Sequence, residues 1–212
     1  ECPVTIGILT PEEHVEAVKD QEKKHRLLSC GRPPVFVRTE IMSDDGLLLE
    51  PREWGEIVVR GEIVSLGYYG DPKATAEIQE YGWHHTGDVG YKDEDGYIYI
   101  VDRKKDMIIS GGLNVFPIEI ERLIWSFEEV QDCVVIGVPD DKWGEAVKAV
   151  VELKDGQHLT EETIIKKCKN DLASYKVPKT VEFWDELPRS PVGKVLKKDV
   201  RKQFWSGVER KI

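Results

Sequence analysis

The sequence predicts an α+β fold in two parts, a strand-rich first part followed by a small α+β part whose mixed sheet is flanked by helices. Three observations carry that expectation. From Cys2 to about Ile100, short β-branched runs alternate with turn-forming clusters. Beyond that point, stretches with helical spacing of apolar residues alternate with apolar runs of strand length. Between the two lies Asp102-Arg103-Lys104-Lys105-Asp106, a dense charge cluster without an apolar residue, and the domain boundary is placed there, separating 1–104 from 105–212.

In chain order, Val35–Arg38, Glu56–Val59 and Tyr97–Val101 read as strands. Asp93-Glu94-Asp95-Gly96 reads as a hairpin turn; its acidity invites comparison with a calcium loop, but the ligand spacing and the following Glu are absent. A short helix follows Asp71, which can cap it, with Pro72 at its first position and a body to Gln79. A second begins at Pro117 and carries Ile118, Ile120, Leu123 and Ile124, with Asn114 or a neighbour as cap and Glu119 and Glu121 at the positive end of its dipole. Val134–Val138 and Ala146–Leu153 resemble two strands around Pro139–Glu145. A third helix runs from about Glu161 to Leu172 behind Thr160, with Ile164, Ile165, Cys168 and Leu172 facing inward. Val181–Trp184 is a further strand, and a Lys/Arg-rich helix starts near Val195.

The formal net charge of -10 over 212 residues argues against an electrostatic nucleic-acid binder, which needs a basic face. Local basic patches for phosphate esters remain compatible with it. Cys2, Cys30, Cys133 and Cys168 are scattered without metal-ligand spacing and read as reduced thiols of a cytoplasmic protein, a reading that leaves peripheral membrane association open. The apolar runs are too short for a transmembrane segment. The chain opens on Glu rather than Met, so a fragment is expected.

Three short motifs carry chemistry. Thr86-Gly87-Asp88 puts a carboxylate beside a glycine, a combination that can grip two sugar hydroxyls, although Asp after Gly is most often a plain turn. Ser110-Gly111-Gly112 could admit a ligand close to backbone amides before the Pro117 helix. Gly193-Lys194 is not a Walker motif: the upstream Gly is missing, and Val195 stands where Ser or Thr is required.

Together these motifs resemble a known family. The block YGWHHTGDVGYKDEDGYIYIVDRKKDMIISGGLNVFPIEIERL (81–123), followed by LPRSPVGKVLKKDV (187–200), closely resembles the adenylate-forming superfamily of acyl-CoA synthetases, peptide-synthetase adenylation domains and firefly luciferase. RGEIVSLGYYGDPKATAE (60–77) and LASYKVPKTVEFWDELPR (172–189) fit the same pattern, so the resemblance covers essentially the whole chain. It implies that residues 1–104 are the distal part of a large AMP-binding domain and residues 105–212 a small mobile domain. It further implies ATP, carboxylate and CoA as substrates, and a reaction in two half-steps: attack of the carboxylate on the ATP α-phosphate, then displacement of AMP by a thiol. By resemblance, Lys194 is the catalytic lysine, Asp88, Arg103 and Thr86 contact the nucleotide, and Lys105 is the hinge. Gly111, Gly112, Trp143, Tyr175 and Lys179 lie along the path of CoA.

The family also uses a Ser/Thr/Gly-rich phosphate loop and an acyl pocket that nothing here resembles, so both are expected in a missing N-terminal part of the same enzyme. An aromatic-Gly-x-Thr-Glu motif supplies the family's Mg2+ ligand; by register, Glu1 is its last residue. The implied activity is that of an acyl-CoA synthetase acting on a fatty or aryl acid, an acid–thiol ligase. Alternatives are a peptide-synthetase adenylation domain, a luciferase-like enzyme, and a non-catalytic module that binds AMP or CoA.

Overall fold

The computed structural model describes residues 5–205, and the chain divides into two units, Glu1–Lys104 and Lys105–Ile212. Glu1, the expected magnesium ligand, and Cys2 lie outside the described residues.

The first unit opens on a helix that the sequence reading did not anticipate, α1 (Pro11–Lys19). Its start is a complete capping box: the Glu13 amide donates to Thr10 Oγ1 at 3.2 Å, and the Thr10 amide donates back to the Glu13 carboxylate at 3.0 Å. Then follow β1 (Arg38–Met42), β2 (Gly55–Arg60), α2 (Pro72–Ile78), β3 (Gln79–Glu80), β4 (Trp83–Lys92) and β5 (Ile98–Arg103). The strands form an antiparallel sheet in which β2 lies between β1 and β4, β3 pairs with the start of β4, and β5 pairs with its end. Consecutive residues of β2 point to opposite faces, and both are buried: Ile57 packs with Ile41 and Ile98, Val58 with Met42 and Trp83. The strand expected at Val35–Arg38 begins only at Arg38. Val35 and Phe36 are exposed in a turn that Pro33 and Pro34 start, since proline fixes φ and donates no ladder hydrogen bond. The expected cap and hairpin are present. Asp71 accepts from the Ala74 amide at 2.9 Å, and Asp93 accepts from the amides of Asp95 and Tyr97.

The second unit contains β6 (Ile108–Ser110), β7 (Leu113–Val115), α3 (Pro117–Ile124), β8 (Val130–Asp140), β9 (Gly144–Leu153), α4 (Glu161–Asp171), β10 (Thr180–Trp184) and α5 (Lys197–Lys202). Its centre is the long β8–β9 hairpin, paired from Val130↔Leu153 to Asp140↔Gly144. On the other edge of β9, β10 runs parallel and β6 meets Gly144 antiparallel, so the sheet is mixed. The alternation Cys133, Val134, Val135, Ile136 feeds two cores. Cys133 and Val135 join Ile120, Ile124, Ile164 and Cys168 under α3 and α4; Val134 and Ile136 join Leu187 and Val200 under α5. Burial pushes the Cys168 thiol up to about 11, in keeping with a small core hydrophobe.

The hairpin strands run beyond the expected Val134–Val138 and Ala146–Leu153, so that Pro139 pairs with Glu145, and α3 and α5 also differ from the sequence reading. Asn114 is not the cap of α3: it lies within β7, and the helix starts from Phe116 without a side-chain cap, Pro117 needing no partner for a missing N–H. Glu121 is not at the dipole end in solvent but is buried, as described below. Helix α5 starts at Lys197 rather than near Val195, because Val195 pairs with Arg189 in an isolated bridge.

Candidate functional site

In the first unit, Thr86-Gly87-Asp88 lies within β4 rather than in a free turn. Gly87 takes φ +73°, a conformation that favours glycine, next to irregular pairing with both neighbouring strands. Thr86 Oγ1 donates to the Ile57 carbonyl at 2.7 Å and accepts from the Asp88 amide at 3.1 Å, which fixes the local backbone. Asp88 faces Arg103 across the β4–β5 ladder, and their side chains form an ion pair at 2.7 Å. The three residues expected to contact nucleotide are therefore brought together at one place.

A fourth group underlies them that the sequence reading did not single out. Glu56 is buried and accepts from the Gly87 amide at 3.0 Å, from His85 Nδ1 at 3.0 Å and from Lys104 Nζ at 2.9 Å. Burial pushes its carboxyl up, but the hydrogen bonds from His85 and Lys104 outweigh this and hold it below the usual range. Lys104 also pairs with Asp44 at 2.8 Å, and its two carboxylate partners raise its pKa against the opposing effect of burial. Lys105, the expected hinge, follows in the short 3-10 turn Lys104–Asp106.

In the second unit, Gly111 and Gly112 do not open a helix. They form the tight turn between β6 and β7, with φ +59° and +80°. The Gly111 amide donates to the Trp143 carbonyl at 2.8 Å, and a Cβ on Gly111 would stand 2.6 Å from Trp143 Cε3. Trp143 is thus seated on a glycine surface, its amide bonded to Asp140 and its ring covered by the Lys142 ammonium at 4.8 Å, while about two-fifths of it stays exposed. Tyr175 lies in the turn Ser174–Lys176, which lies against β7. Lys179 borders a separate depression of about 520 Å³ with Lys169, Ile165 and Leu172.

Lys194 is displayed elsewhere on this unit, in an exposed turn closed by Ser190 N–H to Lys194 carbonyl (2.8 Å) and Gly193 N–H to Ser190 carbonyl (2.8 Å). Its ammonium has no ion-pair or hydrogen-bond partner among the described residues, whereas the nearby Arg189, Lys197 and Arg201 are each paired with carboxylates. The turn is tied to Asp132 and Glu152 through Arg189, at the end of the β8–β9 hairpin opposite the Asp140–Gly144 end that carries Trp143. Eight residue steps separate Glu152 from Gly144 on β9, which at strand rise is roughly 26 Å. Among the described residues, no group of three or more His, Cys, Asp or Glu side chains is placed to hold a metal ion.

Residues 119–194 match the family model described as AMP-binding enzyme C-terminal domain. A feruloyl-CoA synthase from an Amycolatopsis species is 48% identical over 83% of this chain and 36% of its own length. A long-chain-fatty-acid–CoA ligase of Escherichia coli O157:H7 is 46% identical over 86% of this chain and 32% of its own length. The solved o-succinylbenzoate CoA synthetase of Bacillus subtilis, in complex with its acyl-adenylate intermediate, superposes with a TM-score of 0.79 at 34% identity, over 98% of this chain and 39% of that one. Residues 119–194 thus carry the C-terminal domain of AMP-binding enzymes, and most of the chain is similar to part of acyl-CoA synthetases and other adenylate-forming enzymes.

The chain spans about a third of the length of the curated relatives it matches. The matched family segment runs from α3 to the Lys194 turn. Two features were invisible in the sequence: the role of Glu56, which reads only as part of an ordinary strand run, and that of Glu121, whose carboxylate accepts from the Val135 amide at 2.8 Å and pairs with Lys197 at 2.8 Å. No motif spacing marks either, because their partners lie far away along the chain. Among the described residues, no helix is long and apolar enough to cross a membrane.

Proposed function

We propose that this chain is part of an acyl-CoA synthetase that joins a carboxylic acid to ATP, giving an acyl-adenylate and diphosphate, and then passes the acyl group to the thiol of CoA with release of AMP. The observation that carries this reading is Lys194: an ammonium held out on a fixed turn with no partner among the described residues, while Arg189, Lys197 and Arg201 close to it are each paired with carboxylates. The naming of the relatives as CoA synthase and CoA ligase supports it.

In the first half-reaction a carboxylate oxygen bonds to the α-phosphorus, and the bond to the diphosphate leaving group breaks. Two anions approach, and negative charge gathers on the phosphoryl oxygens. A compact cation aimed there lowers the barrier, which is the role proposed for Lys194. Asp88 would accept the ribose hydroxyls, with Arg103 and Thr86 beside it. ATP would carry Mg2+ to the site. In the second half-reaction the CoA sulfur attacks the acyl carbon and AMP leaves with the electron pair. Trp143 offers an aromatic face for the CoA adenine. Gly111 seats the Trp143 ring, Gly112 leaves open space for the pantetheine arm, and Tyr175 and Lys179 would stand further along. Lys105 would be the pivot that presents first one end of the β8–β9 hairpin and then the other.

The test is made in the protein extended to the length of its curated relatives. Lys194→Ala is expected to slow acyl-adenylate formation about a hundredfold, for a loss of about 3 kcal/mol of transition-state stabilisation. Thioester formation from supplied acyl-adenylate should be nearly unchanged. ATP–diphosphate exchange reads the first step and thioester release the second; equal losses in both would refute the role.

A further inference from the structure

We propose that Arg189 is a positioning residue for Lys194: it ties the lysine turn to the end of the β8–β9 hairpin and so sets where the ammonium can reach. The proposal rests on the reading of Lys194 given above. Arg189 Nη1 donates to Asp132 Oδ2 at 2.8 Å, and Nη2 donates to Glu152 Oε2 at 2.9 Å. Those two carboxylates face each other across the hairpin, in the register Asp132↔Glu152. One guanidinium therefore spans both strands, which its planar fork can do and an ammonium cannot.

The same side chain reaches the turn itself. Nη1 lies 3.4 Å from the Gly193 carbonyl, and the Arg189 backbone bridges to Val195, enclosing Lys194 between anchored positions. Inside the enclosure, the Lys194 amide donates to Ser190 Oγ at 3.2 Å. Gly193, at φ +81°, makes the reversal that a residue with a Cβ adopts only under strain. On the near side of Arg189, the Leu187 amide donates to Glu152 Oε2 at 2.9 Å and the Leu187 side chain is buried. Beyond Lys194, Lys197 is held by buried Glu121. The stem of Lys194 is long and flexible, but its base has little freedom left. Loss of the Arg189 anchor removes the fixed base while leaving the lysine in place.

The experiment compares Arg189→Met, Arg189→Lys and Lys194→Ala in the protein at the length of its relatives, with both half-reactions measured separately. Arg189→Met should slow acyl-adenylate formation at saturating ATP and acid by about tenfold, since misplacement of a catalytic group by about 1 Å costs up to about 10²-fold. The KM for ATP and the rate of thioester formation from supplied acyl-adenylate should stay within about twofold, because neither uses the lysine's position. Arg189→Lys should recover part of the loss, as one of the two carboxylate contacts can be remade. A merely structural role would lower both half-reactions together, and that result overturns the proposal, as does adenylation at the wild-type rate. Where Arg189→Met fails to fold by circular dichroism, Glu152→Gln weakens the same anchor and is judged by the same criteria. A Lys194→Ala protein that adenylates normally refutes the reading of Lys194 itself, whereas a strong Lys194→Ala effect beside a silent Arg189→Met refutes only the anchor.

Discussion

Asp88 and Arg103 form an ion pair at 2.7 Å, yet Arg103 is more than half exposed. Pairs of this kind contribute about 0–1 kcal/mol to stability, so the geometry favours availability to a ligand over support of the fold. On the proposed function, Asp88→Ala in the protein at the length of its relatives is accordingly expected to raise the KM for ATP about tenfold, the weight of one or two charged hydrogen bonds, with little change in melting temperature. Buried Glu121 behaves in the opposite way. With Lys197 removed by Lys197→Met, the carboxylate stays in the core beside the Val135 amide without its counter-charge. The expected loss is about 3 kcal/mol of stability, read as a lower denaturation midpoint of the chain. These two residues show what a sequence can and cannot disclose at this scale. Asp88 sits in a recognisable tripeptide, while Glu121 looks like any acidic residue in the body of a short helix.

Among the elements, α1 shows how a strong local signal can pass unnoticed. Thr10-Pro11-Glu12-Glu13 is a capping box with proline at the first helical position, legible by spacing alone. Its Glu13 does more than cap. Burial pushes its carboxyl up, but bonds from the Thr10 amide, Tyr97 and Arg32 prevail and bring it down to about 2 from 4.5. A carboxylate whose pKa is depressed on folding stabilises the folded state above its unfolded value, and that contribution is lost as pH falls. The stability gap between the chain and Glu13→Gln should therefore be full above about pH 4.5 and close as pH falls towards 2, measured by urea titration at each pH. The β6–β7 turn lends itself to a second test. Gly111→Ala places a methyl group against the Trp143 ring, and in the protein at the length of its relatives it should raise the KM for CoA while sparing adenylation.

For the whole molecule, the boundary falls between Lys104 and Lys105, within the charge cluster. Lys104 is fastened to the first unit through Glu56 and Asp44, so rotation would have to begin at the next residue. Lys105→Pro restricts that backbone and the residue before it. In the protein at the length of its relatives it should leave ATP–diphosphate exchange near wild type and slow overall thioester production, which steady-state and single-step rates together will distinguish. The second unit carries the chemistry proposed for each half-reaction at opposite ends of one hairpin, roughly 26 Å apart at strand rise.

Local chemistry determined much of this by itself. Alternating β-branched runs, Asp71-Pro72, Asp93 to Gly96 and Thr160 each fix an element through contacts within a few residues. The order of motifs from Thr86 to Lys194 likewise carries the resemblance to adenylate-forming enzymes. The tertiary structure alone decided which strands pair, that Val35 and Phe36 stay outside the sheet, and that Glu56 lies under the Gly87 amide. It also decided that Arg189 joins Asp132 to Glu152 beside the lysine turn. The physical reason is distance along the chain. A cap or a turn is closed by neighbours whose spacing can be read, whereas a buried carboxylate or a bridging guanidinium is defined by partners that only the packed sheet brings within 3 Å.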